Sequence, residues 1–241
     1  MDIAFKPKTI HESWNEFIDR EDIKNELFRI KELIGDNYFP SEENVLRFLN
    51  QDINNIKCII VGMEPYPTSF INKDGIEEPI ATGRSFEVAI LKDEDWNYKI
   101  KQSSLRNILK TIYYNETNTI KSLEEIRQEI NSGEFKIDKP FDLFNNLEKQ
   151  GVLFLNATLT VEKENVDSHR KYWTYFMNEL IKYLESKNNN IKWLLWGDKA
   201  QKRFIPEIKN KKNIICCQHP RLASFVNENC FKELKNINWT L

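Results

Sequence analysis

Four short apolar runs constrain this chain more than any other feature. They are Cys58-Ile59-Ile60-Val61, Val152-Leu153-Phe154-Leu155, Trp193-Leu194-Leu195-Trp196 and Ile214-Ile215-Cys216-Cys217. None alternates with polar residues, which is the pattern of a strand buried on both faces. Each run closes on a polar or glycine-marked turn: Gly62, Asn156, Gly197-Asp198 and, two residues past Cys217, His219-Pro220. Helical spacing fills much of the rest, as in Trp14, Phe17 and Ile18, in Val45, Leu46, Phe48 and Leu49, and in Trp173, Phe176, Leu180 and Leu184. Buried strands alternating with helices specify an α/β fold. We expect a single domain over residues 1–241, with a central four-stranded, mainly parallel sheet and helices on both faces.

Finer expectations follow from local chemistry. Ser41, ahead of Glu42 and Glu43, reads as a helix N-cap, and Ser103 caps a second helix. Gly83 to Val88 reads as an additional strand. Residues 68–84 are polar and irregular, and a loop of that length in a compact domain is usually functional. Residues 115–140 form a charged elaboration, helical around Leu123 to Ile130.

Composition narrows the function classes. The chain is 40% hydrophobic and 30% charged, ordinary for a globular protein. It has no apolar stretch of about 18 residues and no apolar run at its N-terminus, so no membrane association and a cytoplasmic address are expected, or a nuclear one in a eukaryotic or viral setting. The net charge of −2 means that any nucleic-acid site must be a local patch. One such candidate is the run Lys199, Lys202, Arg203, Lys209, Lys211 and Lys212. The four cysteines lack metal-ligand spacing and read as reduced, structural thiols. No G-x-G-x-x-G, Walker, H-E-x-x-H or G-x-S-x-G pattern occurs, so hydride transfer, phosphoryl transfer, metal hydrolysis and serine hydrolysis lose their usual signatures.

Open α/β sheets bind ligands at the carboxyl ends of their strands. That rule gathers Glu64, Asn156, Gly197 and His219 along one rim, with Tyr66 and Phe86 near it. Pro65 and Pro67 stiffen the turn that carries Glu64 and Tyr66. A carboxylate, an amide, an imidazole and aromatic faces suit recognition of a planar ring. An amide offers a donor and an acceptor side by side, as the edge of a pyrimidine requires, and a ring supplies stacking.

These residues resemble the family-1-type uracil-DNA glycosylases. The likeness runs through Tyr38-Phe39-Pro40 to Leu49, Gly62-Met63-Glu64-Pro65-Tyr66-Pro67, Gly83-Arg84-Ser85-Phe86 and Ser104-Leu105-Arg106-Asn107. It continues through Gly151 to Val161, Ser168-His169, Leu195 to Lys202, His219-Pro220 and Ile237-Asn238-Trp239. The resemblance implies an enzyme of base-excision repair that flips deoxyuridine out of single- or double-stranded DNA and hydrolyses its N-glycosidic bond. It implies no metal or cofactor and a monomer, with the long loops open to a protein partner. It assigns Glu64 as the carboxylate that stabilises the sugar cation and aims water, and His219 as the donor to uracil O2. It assigns Asn156 as the reader of uracil, Phe86 as the stacking ring, Tyr66 as the wall against a thymine methyl and Met63 as a main-chain contact. DNA contacts fall to Ser104, Ser168, His169, Arg221, Leu222 as the wedge, and Ser224.

The chain departs from that pattern where Met63-Glu64 replaces Gln-Asp, Pro67 replaces a histidine, and Pro-Arg-Leu-Ala-Ser replaces Pro-Ser-Pro-Leu-Ser after His219. A glycosylase of altered base choice or low activity fits the same residues, as does a DNA- or partner-binding relative without catalysis.

Overall fold

A computed structural model of the chain describes residues 3–241. The four apolar runs form β1 (Cys58–Gly62), β2 (Val152–Asn156), β3 (Lys192–Trp196) and β4 (Ile214–Cys217). They pair in the order β2-β1-β3-β4, every pair parallel. Side chains alternate across the sheet as strand geometry requires. Ile59, Val61, Leu153, Leu155, Trp193 and Leu195 enter one core. Cys58, Ile60, Val152, Phe154, Leu194 and Trp196 enter the other. The runs are continuously apolar because both faces are covered.

The first face is covered by α1 (Glu21–Ile34), α5 (Thr174–Lys187) and α6 (Asp198–Phe204), through Ile23, Leu27, Phe176, Leu180 and Phe204. The second carries α2 (Ser103–Thr117), α3 (Leu123–Ser132), α4 (Pro140–Lys149) and the C-terminal segment with Phe231 and Trp239. Trp173, Trp193 and Trp196 are all buried. Each fully buried apolar side chain contributes roughly 1.5–3 kcal/mol. Among the described residues no helix is long and apolar enough to cross a membrane.

The order β2-β1-β3 has a mechanical consequence. The chain leaves β1, returns beside it as β2, then crosses to the far side of β1 for β3. Such a reversal opens a crevice at the strands' carboxyl ends, over β1.

Several local expectations change. No strand forms at Gly83–Val88: the segment is a tight turn, held by Arg84 ion-paired with Glu87 at 2.7 Å and with Glu148. Ser41 makes no side-chain cap, and the helix after it lasts one turn (Glu42–Val45) before a 3-10 turn, Arg47–Asn50. Gln102, not Ser103, is the N-cap residue of α2. Residues 68–84 contain an antiparallel hairpin, Ser69–Ile71 with Glu77–Pro79. Asn72 makes its turn by accepting from the Asp74 and Ile76 amides. The helix expected around Leu123 exists as α3 and begins with a full capping box, Ser122 and Glu125. The cysteines are free thiols, and three are buried, but Cys216 is exposed.

Candidate active site

Asn156 closes β2 directly opposite Gly62, the last residue of β1. The ladder continues past both strands, with the Ala157 amide donating to Gly62 at 2.9 Å and the Thr158 amide to Met63 at 3.0 Å. Asn156 is 3% exposed, yet its side-chain amide hydrogen-bonds no described residue. Its amide atoms are not sealed from solvent; they open onto the crevice, where a ligand can pair with them. A Cβ on Gly62 would lie 2.3 Å from Asn156 Oδ1 and 2.7 Å from Ser85 Cβ. Only glycine lets the amide sit there.

The Ser85 hydroxyl donates to the Ile60 carbonyl at 3.0 Å and ties the next turn to β1. That turn presents Phe86 with φ +66°, the left-handed region. For a bulky side chain this conformation costs about 1–3 kcal/mol and persists only where its surroundings enforce it. The Phe86 ring lies 5.2 Å from Trp196 and 6.4 Å, edge-on, from His219. Gly62, Met63, Glu64, Tyr66, Phe86, Asn156 and His219 enclose a crevice of about 230 Å³, with Arg84 and Ser104 at its wall. Burial pushes the Tyr66 hydroxyl up to about 12, so it stays protonated.

His219 follows β4 and rests on the turn after β3. A Cβ on Gly197, whose φ is +87°, would lie 2.8 Å from His219 Cβ. The Arg221 amide donates to His219 Nδ1 at 3.1 Å. That bond requires an unprotonated Nδ1 and leaves the ring proton on Nε2. Burial, with help from Arg221 and Lys199, holds the imidazole below its ordinary range. A neutral ring with one N–H to donate is the result. Glu64 stands in the stiff turn with Pro65 and Pro67, and its Oε2 accepts from the Asp167 amide at 2.8 Å. Burial raises its pKa above its ordinary value, with the Asp167 charge adding to the rise, against the Asp167 main-chain hydrogen bond and the charges of Lys199 and Arg170.

Comparison with known proteins bears on this geometry. The profile of the uracil DNA glycosylase superfamily matches residues 48–239, spanning all four strands and the crevice. The chain belongs to that superfamily. A uracil-DNA glycosylase of Aliivibrio salmonicida is 31% identical over 216 residues, covering 86% of this chain and 82% of its own. One from Francisella philomiragia is 27% identical, across 95% of this chain and 100% of its own. In fold, the wild-type UNG of Nitratifractor salsuginis superposes with a TM-score of 0.72 at 20% identity, covering 96% of this chain and 93% of that one. Mimivirus uracil-DNA glycosylase gives 0.61 at 23% identity, covering 88% and 69%.

Measured against the resemblance to the glycosylases, the expected pocket residues Glu64, Tyr66, Phe86, Asn156 and His219 do come together, and Ser104, expected as a DNA contact, lines the same crevice. Met63 lines the crevice too, while packing against the first core. Arg221, Leu222 and Ser224 follow His219 on an exposed turn, with Leu222 44% exposed. The Ser224 hydroxyl is bonded to the Gln218 side chain.

Ser168 and His169 do not face the crevice. The Ser168 hydroxyl accepts from the Glu162 amide at 2.9 Å, and His169 is buried with Nδ1 3.0 Å from the Thr160 hydroxyl. Both bond within the loop after β2 and neither lines the crevice, and the Ser168 hydroxyl still has its own hydrogen to donate. The basic run also divides: Arg203 bonds Asn178, Lys211 bonds the Ile205 and Ile208 carbonyls, and only Lys199 of the run pairs with a residue touching Glu64.

Three positioning residues escaped sequence reasoning. Arg84 walls the crevice while bonded to Glu87, Asn145 and Glu148. Asp167 holds Glu64 through its main chain. The Asn107 amide donates to the carbonyls of Pro220 (2.7 Å) and Leu222 (3.2 Å), bracing the turn that carries Leu222. Asn107 lies three residues after Ser104, a spacing that shares a helix face and offered a signal.

Proposed function

We propose that this chain removes uracil from DNA by hydrolysing the N-glycosidic bond of a deoxyuridine turned out of the strand into the 230 Å³ crevice. One observation carries the reading. The buried, unpartnered Asn156 amide shares that crevice with a carboxylate and with a neutral imidazole whose free N–H is on Nε2. Asn156 offers uracil the donor and acceptor that its O4 and N3–H require. Phe86 stacks on the base, and Tyr66 excludes a substituent at C5. As the C1′–N1 bond breaks, positive charge grows on the sugar and negative charge on the base. Glu64 stabilises the first and orients the water that adds at C1′. The His219 Nε2–H stabilises the second by donating to O2, a preorganised effect worth roughly 3–4 kcal/mol when a single such donor is lost. The products are free uracil and an abasic site.

The exposed Leu222 serves as the wedge that fills the vacated stack, and Ser104, Arg221 and Ser224 meet phosphates. On this reading the protein works on single- or double-stranded DNA as a cytoplasmic monomer and needs no cofactor.

The test is an end-labelled oligonucleotide carrying one uracil, beside the same strand carrying thymine. Alkali-labile cleavage at uracil alone is expected. A folded protein that cleaves neither strand contradicts the proposal. A narrower reading, a glycosylase of different base choice, is favoured by one feature: Met63 turns toward the core and gives the reacting edge no polar side chain. A panel of damaged-base strands, with uracil resistant and another base released, would select it.

A further inference from the structure

The segment running from β2 to α5 embraces the Glu64 turn on three sides. The Thr158 amide donates to the Met63 carbonyl at 3.0 Å, the Glu164 amide to the Pro67 carbonyl at 2.8 Å, and the Asp167 amide to Glu64 Oε2 at 2.8 Å. That segment is stiffened from within. Ser168 accepts from the Glu162 amide, and Thr160 joins His169 to Trp173 Nε1, which donates at 2.7 Å. Glu164 and Asp167 sit at φ +60°, so the backbone there is bent to aim their amides rather than extended. Glu64 Oε1 bonds no described residue and stays available.

The Asp167 carboxylate in turn pairs with Lys199 Nζ at 3.3 Å. Lys199 stands at the start of α6, two residues after Gly197, the residue against which His219 rests. One ion pair therefore joins the loop that holds the carboxylate to the turn that seats the imidazole.

We infer that Asp167 and Lys199 are positioning residues for Glu64: the Asp167 main chain fixes the orientation of the carboxylate, and the Asp167–Lys199 pair biases that loop toward the His219 side of the crevice and adds to the field Glu64 experiences. The inference rests on the reading of Glu64 as the reacting carboxylate. Its physical basis is leverage. A glutamate has one more rotatable bond than an aspartate, and a displacement of order 1 Å in a reacting group costs about 10²-fold in rate. A hydrogen bond to one oxygen removes that freedom while leaving the other oxygen for water.

The charged groups facing Glu64 are Asp167, Lys199 and Arg170, with His219 across the crevice. Lys199 and Asp167 are 68% and 47% exposed in their side chains, so their pair adds little to stability and its removal leaves the fold intact. Glu64 acts ionised, so single-turnover excision of uracil falls as acid protonates it. Lys199→Met removes a cation that favours the carboxylate, and the acid limb moves to higher pH. Asp167→Asn removes an anion that disfavours it, and the limb moves to lower pH. Both variants lose roughly two- to fivefold in the single-turnover rate at the plateau. Lys199→Arg restores the wild-type profile. Repeating the series in a His219→Gln background keeps the shifts, since His219 no longer titrates there.

Opposite displacements that survive in that background support the inference. An unmoved acid limb in both variants, or a change confined to KM, overturns it and leaves Lys199 as a phosphate contact. Glu64→Gln separates the two levels. If it excises uracil at the wild-type rate, the reading of Glu64 itself fails. If it is inactive while the limbs do not move, only the positioning role fails.

Discussion

Gly62 and Asn156 act as a pair, and their pairing gives a sharp test at the scale of single residues. Gly62→Ala places a methyl 2.3 Å from Asn156 Oδ1 and 2.7 Å from Ser85 Cβ, both in packed surroundings. We expect a loss of about 1–3 kcal/mol in urea unfolding and a far larger loss in uracil excision, because the amide is displaced from the crevice. Unchanged activity would show that the seat of Asn156 is unimportant. At this scale the sequence was informative where a polar residue ends a buried run. Glu64, Asn156 and His219 were all legible because strand ends in such a sheet converge. Ser168 and His169, expected as DNA contacts, also bond within their own loop. That arrangement was not legible in the sequence, because adjacency carries no information on which way a side chain turns.

Elements hold the site at a distance. α2 contributes Ser104 to the crevice wall and Asn107 to the turn bearing Leu222, two roles on one face of one helix. Asn107→Ala removes both hydrogen bonds from that turn, costing about 1–2 kcal/mol in stability at most. We expect it to weaken uracil excision from duplex DNA more than from single strands, since a wedge matters only where a stack must be filled. Equal effects on the two substrates would contradict the bracing role. The helices and strands of the sheet were legible from periodicity, whereas the Gly83–Val88 turn was not. Its residues carry strand propensity, but the buried Arg84 cluster and the positive φ of Phe86 override it. The capping box of α3 shows the opposite case, in which local chemistry and tertiary context agree.

The whole molecule is a sheet with two cores, and its stability should respond to acid in a definite direction. Burial holds both His169 and His219 below the ordinary histidine value of 6.5. Their folded pKa values lie under their unfolded ones, so the unfolded chain takes up protons first. Stability is therefore held above pH 6.5 and lost as pH falls from there through the folded values. His169→Gln should make that loss shallower, read as the change in urea midpoint across pH 6.5; an unchanged dependence would show that His169 titrates normally. At this scale most of the architecture could be read in advance, because four continuous apolar runs between helices leave few arrangements other than a covered parallel sheet. The crevice followed from the strand order, which the sequence did not reveal. The most direct test of the account is kcat/KM for uracil excision by Asn156→Asp against the wild type, on one oligonucleotide with folding checked. An aspartate accepts but cannot donate to uracil O4, so we predict a loss on the order of 10³-fold or more. Excision at the wild-type rate would contradict the claim that this amide reads the base.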